Sequence, residues 1–193
     1  EVSMGLSIAG IKSVMEMQFS DFVSSGFNPI VNYLAKVHYR WNENADVVIR
    51  MPCGAGVGAG VGAGPFHSQT NEAWFTKTPG LKVVYPAFPS DAKGLLCASI
   101  EDPNPVLFFE HKQLYRSVYQ EVPDDYFTIP LGKATLLKEG KDLTIISYGA
   151  GVHWALSSIE KLKLSADLID LRTLQPLDEE AIFKSVRKTG KLI

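Results

Sequence analysis

The sequence predicts an α/β fold: a doubly wound, mostly parallel sheet, followed by the start of a second, smaller α/β unit. Three observations carry this. Short apolar runs with strand character recur along the chain, at 46–50, 81–85, 105–110, 143–147 and 166–171. Stretches with helical spacing separate most of them. The rhythm breaks once, at 111–140, where Tyr, Pro and charged residues dominate.

In order, residues 1–9 read as the middle of a helix, with no initiator Met and no cap. A strand is expected at 13–18. A helix follows from about residue 28 to 39, with Ile30, Val31, Leu34, Ala35 and Val37 as its apolar side. Strand 46–50 then leads into a glycine run, and a helix is expected over 69–76. Pro79-Gly80 marks a turn before strand 81–85. The helix over 90–100 has Ser90 as its expected N-cap and Asp91 in its first turn. Strand 105–110 closes the first unit. Residues 111–140 form an extended connector ending in a short strand at 132–138. The alternation resumes with strand 143–147, a Gly149-Ala-Gly151 turn, helix 152–162, strand 166–171 and helix 178–188 after Pro176. Residues 190–193 read as a strand beginning, so both ends predict a longer parent protein.

Composition narrows the function classes. Of 193 residues, 46% are hydrophobic and 21% charged, which suits one or two globular domains. The net charge is -2 with no basic block, so nucleic-acid binding is not expected. No apolar run reaches the length of a membrane span and no signal peptide is visible, so neither a membrane partner nor secretion is expected. The two cysteines, Cys53 and Cys97, have neither metal spacing nor a disulfide pattern. A cytoplasmic protein is the default expectation.

The most informative stretch is 54–64, which holds six glycines and three alanines and leads into Pro65-Phe-His-Ser-Gln69. It cannot build core, but it lets backbone approach a ligand and deliver His67. Gly54-Ala-Gly56-Val-Gly58-Ala59 also fits a dinucleotide-binding pattern. That fit is cheap: the repeat offers it again at Gly58, and no Asp or Glu ends the next strand. A flexible spacer in a non-catalytic interaction module is the plainer alternative. His67 is the candidate acid or hydrogen-bond donor. His38, His111 and His153 read as structural or solvated. Gln18, Phe19 and Phe22 fall where a strand ends, the edge at which doubly wound sheets bind ligands. There aromatics can stack on a flat heterocycle, and Gln18 can bond its edge. Between helix and strand, Asp102-Pro-Asn104-Pro reads as a turn, with a hard-cation site built from Asp102 and Asn104 oxygens as the alternative.

Seven segments occur here in one order: Met15-Glu-Met-Gln-Phe-Ser-Asp-Phe22, Pro65-Phe-His-Ser-Gln69, Pro79-Gly-Leu-Lys-Val-Val84, Pro89-Ser-Asp-Ala-Lys-Gly-Leu-Leu96, Asp102-Pro-Asn-Pro105, Phe109-Glu-His-Lys-Gln-Leu-Tyr-Arg116 and Asp170-Leu-Arg-Thr-Leu-Gln-Pro-Leu177. Together they resemble the β subunit, or β half, of the thiamine-diphosphate-dependent E1 component of 2-oxo acid dehydrogenase complexes. The resemblance covers nearly the whole chain. It implies a transketolase-like pyrimidine-binding domain at 1–112, a connector at 113–130 and the start of a transketolase C-terminal domain at 131–193, truncated at both ends. By the same resemblance, Gln18 lies in the cofactor region, Phe22 lies against the aminopyrimidine ring, and His67 is the active-site histidine facing the substrate. A potassium site is implied at the carbonyls of Ala45, Val47, Val48 and Ser99 with Asp102 and Asn104.

The implied partners are an E1 α subunit or α half, which carries the diphosphate and Mg²⁺ site, a second β copy completing a heterotetramer, and the lipoyl domain of E2. The glutamate that protonates the pyrimidine ring lies upstream of Glu1. The isolated chain is therefore expected to be inactive. The implied reaction is oxidative decarboxylation of a branched-chain 2-oxo acid with acyl transfer to a lipoyl group, with pyruvate or acetoin forms as alternatives. In this family the interval from the strand arginine to the histidine is one Gly-Ala-Gly-Val unit shorter. The longer run predicts that residues 54–66 are poorly ordered or unusually placed, an expectation that a well-packed loop holding His67 beside Phe22 would contradict.

Overall fold

The computed structural model describes residues 1–55, 62 and 64–193. Helix α1 spans Val2–Ile8 and is followed by β1, Ser13–Glu16. The next stretch is helical but irregular: a 3-10 segment Ser20–Gly26, a π-helical turn Pro29–Tyr33, a 3-10 turn Leu34–Lys36 and the short α2, Val37–Trp41. It begins earlier than the helix expected at 28–39. Pro29 occupies a first helical position, with no amide to bond back to the preceding turn, so the two segments cannot merge. Strand β2, Val47–Cys53, runs to the edge of the glycine run.

The helix expected at 69–76 shrinks to a single 3-10 turn, Glu72–Trp74. The reason is tertiary: the Gln69 amide donates to Asp21 Oδ1 at 3.0 Å, and its carbonyl accepts from Gly54 N at 3.0 Å and Ser20 Oγ at 3.1 Å. Backbone groups tied up in this way cannot open a helix. After β3, Lys82–Val84, comes α3, Pro89–Glu101. Phe88, not Ser90, is its N-cap, in extended backbone; Pro89 takes the first helical position, where its missing amide costs nothing. Strand β4, Val106–His111, and α4, Leu114–Ser117, end the first unit.

The second unit holds β5 (Thr135–Lys138), β6 (Leu143–Ser147), α5 (Ala150–Leu162), β7 (Ala166–Asp170), β8 (Thr173–Gln175) and α6 (Glu179–Thr189). Helix α6 has Glu179 and Glu180 in its first turn, Arg187 and Lys188 in its last, and Gly190 left-handed at its end, all in register with the helix dipole and a C-terminal stop. Residues 191–193 pair with β6, Thr144 N donating to the Lys191 carbonyl at 2.8 Å.

The larger sheet has the order β1-β2-β4-β3-β8. Its first four strands are parallel; β8 joins antiparallel to β3. The alternation of β2 and β4 sorts the core into two layers. Ile49, Met51, Leu107 and Phe109 face the irregular helical stretch through Val23, Ile30, Leu34 and Val37. Val48, Val106 and Phe108 face α3 through Leu95 and Leu96. Helices therefore cover both faces, as a doubly wound α/β sheet requires. The smaller sheet has the order β5-β7-β6, with β6 and β7 parallel and β5 antiparallel. Among the described residues no helix is long and apolar enough to cross a membrane.

Candidate functional site

The carboxyl ends of β1, β2 and β4 converge at one edge of the larger sheet, where the pairings run Glu16↔Arg50 and Cys53↔His111. Past β1, Gln18 is exposed and Phe22 keeps 43% of its surface open. His67 packs against this segment. Its ring stands edge-on to Phe22 at 5.3 Å between centroids and to Phe19 at 5.8 Å. Residues 56–61 and 63 of the glycine run lie outside the described residues, so the expected disorder of 54–66 cannot be followed through them. The duplication leaves His67 beside Phe22. The contacts described around it come from Phe19, Phe22 and Lys112, all outside the glycine run.

Lys112 supplies one of those contacts. Its ammonium donates to the His67 carbonyl and lies 4.0 Å from the centroid of the Phe19 ring. The side chain is buried, at 5% exposure. At the base of the loop, the Lys112 amide donates to the Cys53 carbonyl at 2.9 Å. Next to it, His111 covers Gly54, whose backbone has φ +70°. Burial lowers the His111 pKa, and the Lys112 charge lowers it further, so this imidazole is neutral. Cys53 bonds the Tyr85 hydroxyl at 3.0 Å, and burial pushes its thiol up to about 12, so it is no nucleophile.

Below this edge, Arg50 forks onto Glu110 with two bonds of 2.6 Å and reaches Glu16 at 3.2 Å. The Tyr115 hydroxyl completes the set on Glu110. This bidentate pairing locks β2 to β4 just beneath the site. On the other side, a cleft of about 620 Å³ opens towards the second unit, lined in part by Glu72, His111 and Tyr148. Tyr148 donates to Glu72 Oε1 at 3.0 Å.

The potassium set is brought together only in part. Asn104 donates to Asp102 Oδ1 through its backbone amide at 2.9 Å and its side chain at 2.8 Å. The ammonium of Lys82 takes Asp102 Oδ2. Ser99 lies on α3, and Val47 and Val48 are engaged in the β2 ladder. The Ala45 carbonyl already accepts from Val47 N at 2.9 Å. As arranged, Asp102 has its cation, so the set does not fit a potassium ion unless Lys82 yields. Among the described residues no three His, Cys, Asp or Glu side chains gather as a metal site.

Comparison with known proteins agrees with this fold. The transketolase pyrimidine-binding domain model matches residues 2–118, and the transketolase C-terminal domain model matches residues 132–193. The chain belongs to the transketolase pyrimidine-binding family. Within it, the chain is 46% identical to a 2-oxoisovalerate dehydrogenase subunit beta of Bacillus subtilis, covering 100% of this chain and 59% of the relative. It is 48% identical to the mitochondrial subunit of that name from Dictyostelium discoideum, covering 99% and 52%. A pyruvate dehydrogenase E1 component subunit beta of Bacillus subtilis is 43% identical, covering 100% and 59%. The chain thus spans little more than half the length of these relatives. A solved split-gene transketolase, described as an inactive beta4 tetramer, superposes with a TM-score of 0.75 at 26% identity, covering 99% of this chain and 59% of that one.

The structure brings Phe22 and His67 together and adds Lys112, which nothing in the sequence singled out and which reaches the His67 carbonyl across 45 residues. His111 read as structural or solvated, and it proves buried.

Proposed function

We propose that this chain is the β part of a thiamine-diphosphate-dependent E1 enzyme that decarboxylates a branched-chain 2-oxo acid and passes the acyl group to a lipoyl group on E2. The observation that carries the reading is the juxtaposition of the half-open Phe22 and His67 at the carboxyl edge of the sheet. The relatives named as 2-oxoisovalerate dehydrogenase subunits, at 42–48% identity, favour the branched-chain substrate. Relatives named as pyruvate dehydrogenase subunits, at 42–43%, keep pyruvate as the second reading.

The residues present suit one half of a cofactor site. Phe22 offers a flat apolar face of the right size for the aminopyrimidine ring, and the exposed Gln18, four residues earlier, could supply a polar edge. Thiamine diphosphate, when bound, supplies the electron sink for decarboxylation. The chain's own residues orient and exclude. Phe19 and Phe22 keep the His67 ring edge-on and partly dry, where an N–H donor to a substrate carboxylate or oxyanion is worth more than in water. The diphosphate, its Mg²⁺ and the pyrimidine-directed glutamate fall to an α partner and to upstream sequence. A second β copy and the E2 lipoyl domain complete the expected partners.

Reconstitution tests this. With an α partner and thiamine diphosphate, the complete β protein should acylate lipoyl-E2 from 2-oxoisovalerate. His67→Ala should lower acylation on the order of 100-fold or more, the scale of losing a positioned donor. Undiminished acylation in that variant would remove His67 from the reaction.

A further inference from the structure

The assignment of His67 leaves open what fixes it, since the chain reaches it through a run of six glycines in eleven residues. Glycine brings no side chain by which such a run could be anchored. The fixed points must come from elsewhere, and the structure supplies them.

The base of the loop is closed by four bonds. Gly54 N donates to the Gln69 carbonyl at 3.0 Å, and Gln69 N donates to Asp21 Oδ1 at 3.0 Å. Asn71 Nδ2 donates to the Ser20 carbonyl at 2.9 Å, and Ser20 Oγ donates to the Gln69 carbonyl at 3.1 Å. These hold the strand exit and the residues after His67 to the helical stretch. Between the base and the histidine ring one side chain bridges the gap. Lys112 is registered on β2 by its amide, which donates to the Cys53 carbonyl at 2.9 Å. Its ammonium reaches the His67 carbonyl and sits over Phe19, the ring on whose edge His67 leans. One buried cation thus ties the peptide of His67 and its aromatic support to the sheet. An ammonium at 5% exposure is tolerable only with such partners, and a desolvated cation–π contact is at the strong end of its range.

We propose that Lys112 is a positioning residue for His67: it sets the histidine from the end of β4, so that the placement of His67 is independent of the length of the glycine run. The proposal rests on the catalytic assignment of His67. The extra Gly-Ala-Gly-Val unit is then neutral for the site, because the residues that set His67 lie outside the run.

The test reads position and activity separately. In this chain, labelled with ¹³Cε1-histidine, the His67 resonance is identified by its loss in His67→Gln. The Phe19 and Phe22 rings shift it, so its chemical shift reports placement. Lys112→Met should move it to the value of a free histidine. Lys112→Arg should keep most of the displacement, and deletion of residues 58–61 should leave it in place. In the complete enzyme Lys112→Met should lower kcat for lipoyl acylation on the order of 100-fold, the cost of an ångström-scale misplacement, while the deletion leaves kcat unchanged. A His67 resonance indifferent to Lys112→Met, or one moved by the deletion while Lys112 is intact, overturns the proposal. If Lys112→Met proves unfolded by circular dichroism, Lys112→Arg and the deletion variant decide. Should His67→Ala retain full acylation, the catalytic assignment falls, while the resonance data still decide whether Lys112 places the ring.

Discussion

Replacing Asp170 with Asn is expected to remove a pH-dependent loss of stability. Asp170 ends β7 with its side chain fully buried. Its Oδ1 accepts from Arg172 N at 3.1 Å, while Oδ2 has no partner among the described residues. The Arg172 guanidinium is spent on Asp91, with contacts of 2.9 and 3.1 Å. Burial, with the Asp91 charge adding to it, pushes Asp170 from 3.8 up to about 7. The folded pKa lies above the unfolded one, so the folded chain keeps a proton through a window in which the unfolded chain has lost it. Stability from this group is complete below about pH 4, falls as pH rises, and levels off above about pH 7. At about 1.4 kcal/mol per pKa unit, the full loss is about 4 kcal/mol, of which about 2–3 kcal/mol falls between pH 5 and pH 8. Asn keeps the acceptor for Arg172 and cannot ionise. Melting curves of the two proteins should therefore diverge by about 5–10 °C over that range, the variant gaining as pH rises. Asp46, Asp102 and Asp167, all held below the usual range, titrate alike in both proteins and cancel in the comparison. Parallel Tm–pH profiles would refute the reasoning.

Two further outcomes follow from the site. Gly54→Ala places a Cβ 2.3 Å from His111 Nε2 on backbone with φ +70°. It should cost about 1–2 kcal/mol of strain before the ring moves, visible as a lowered Tm; an unchanged Tm would mean that the loop base is not fixed. If potassium takes the Asp102 region, Lys82→Met should make stability higher in KCl than in NaCl of equal strength. Equal melts in both salts would leave Lys82 as the resident cation.

The central strands β2 and β4 were legible because they bury both faces and so read as unbroken apolar runs, as at Val106 to Phe109. What escaped depended on distant partners. β8 is three residues long, and it is a strand only because Val83 and Val84 stand opposite it. The stretch 69–76 has a helical sequence, but Asp21 and Gly54 claim the backbone of Gln69. The same distinction runs through the site. His67 and Phe22 stand out by residue type next to a loop and a strand end. Lys112 looks like one more surface lysine until its 5% exposure is known.

Because β8 comes from beyond residue 170 and completes the first sheet, the two units are not interchangeable modules. A chain cut at 130 would leave the β3 edge bare, with Val83 and Val84 next to unpaired backbone, which is the pattern that recruits a stray strand from another molecule. Grafting a different second half would have to reproduce a three-residue antiparallel ladder and the Arg172–Asp91 pair before the active-site edge kept its shape. Exchanging halves between relatives would therefore disturb this sheet, which single substitutions at its carboxyl edge leave paired.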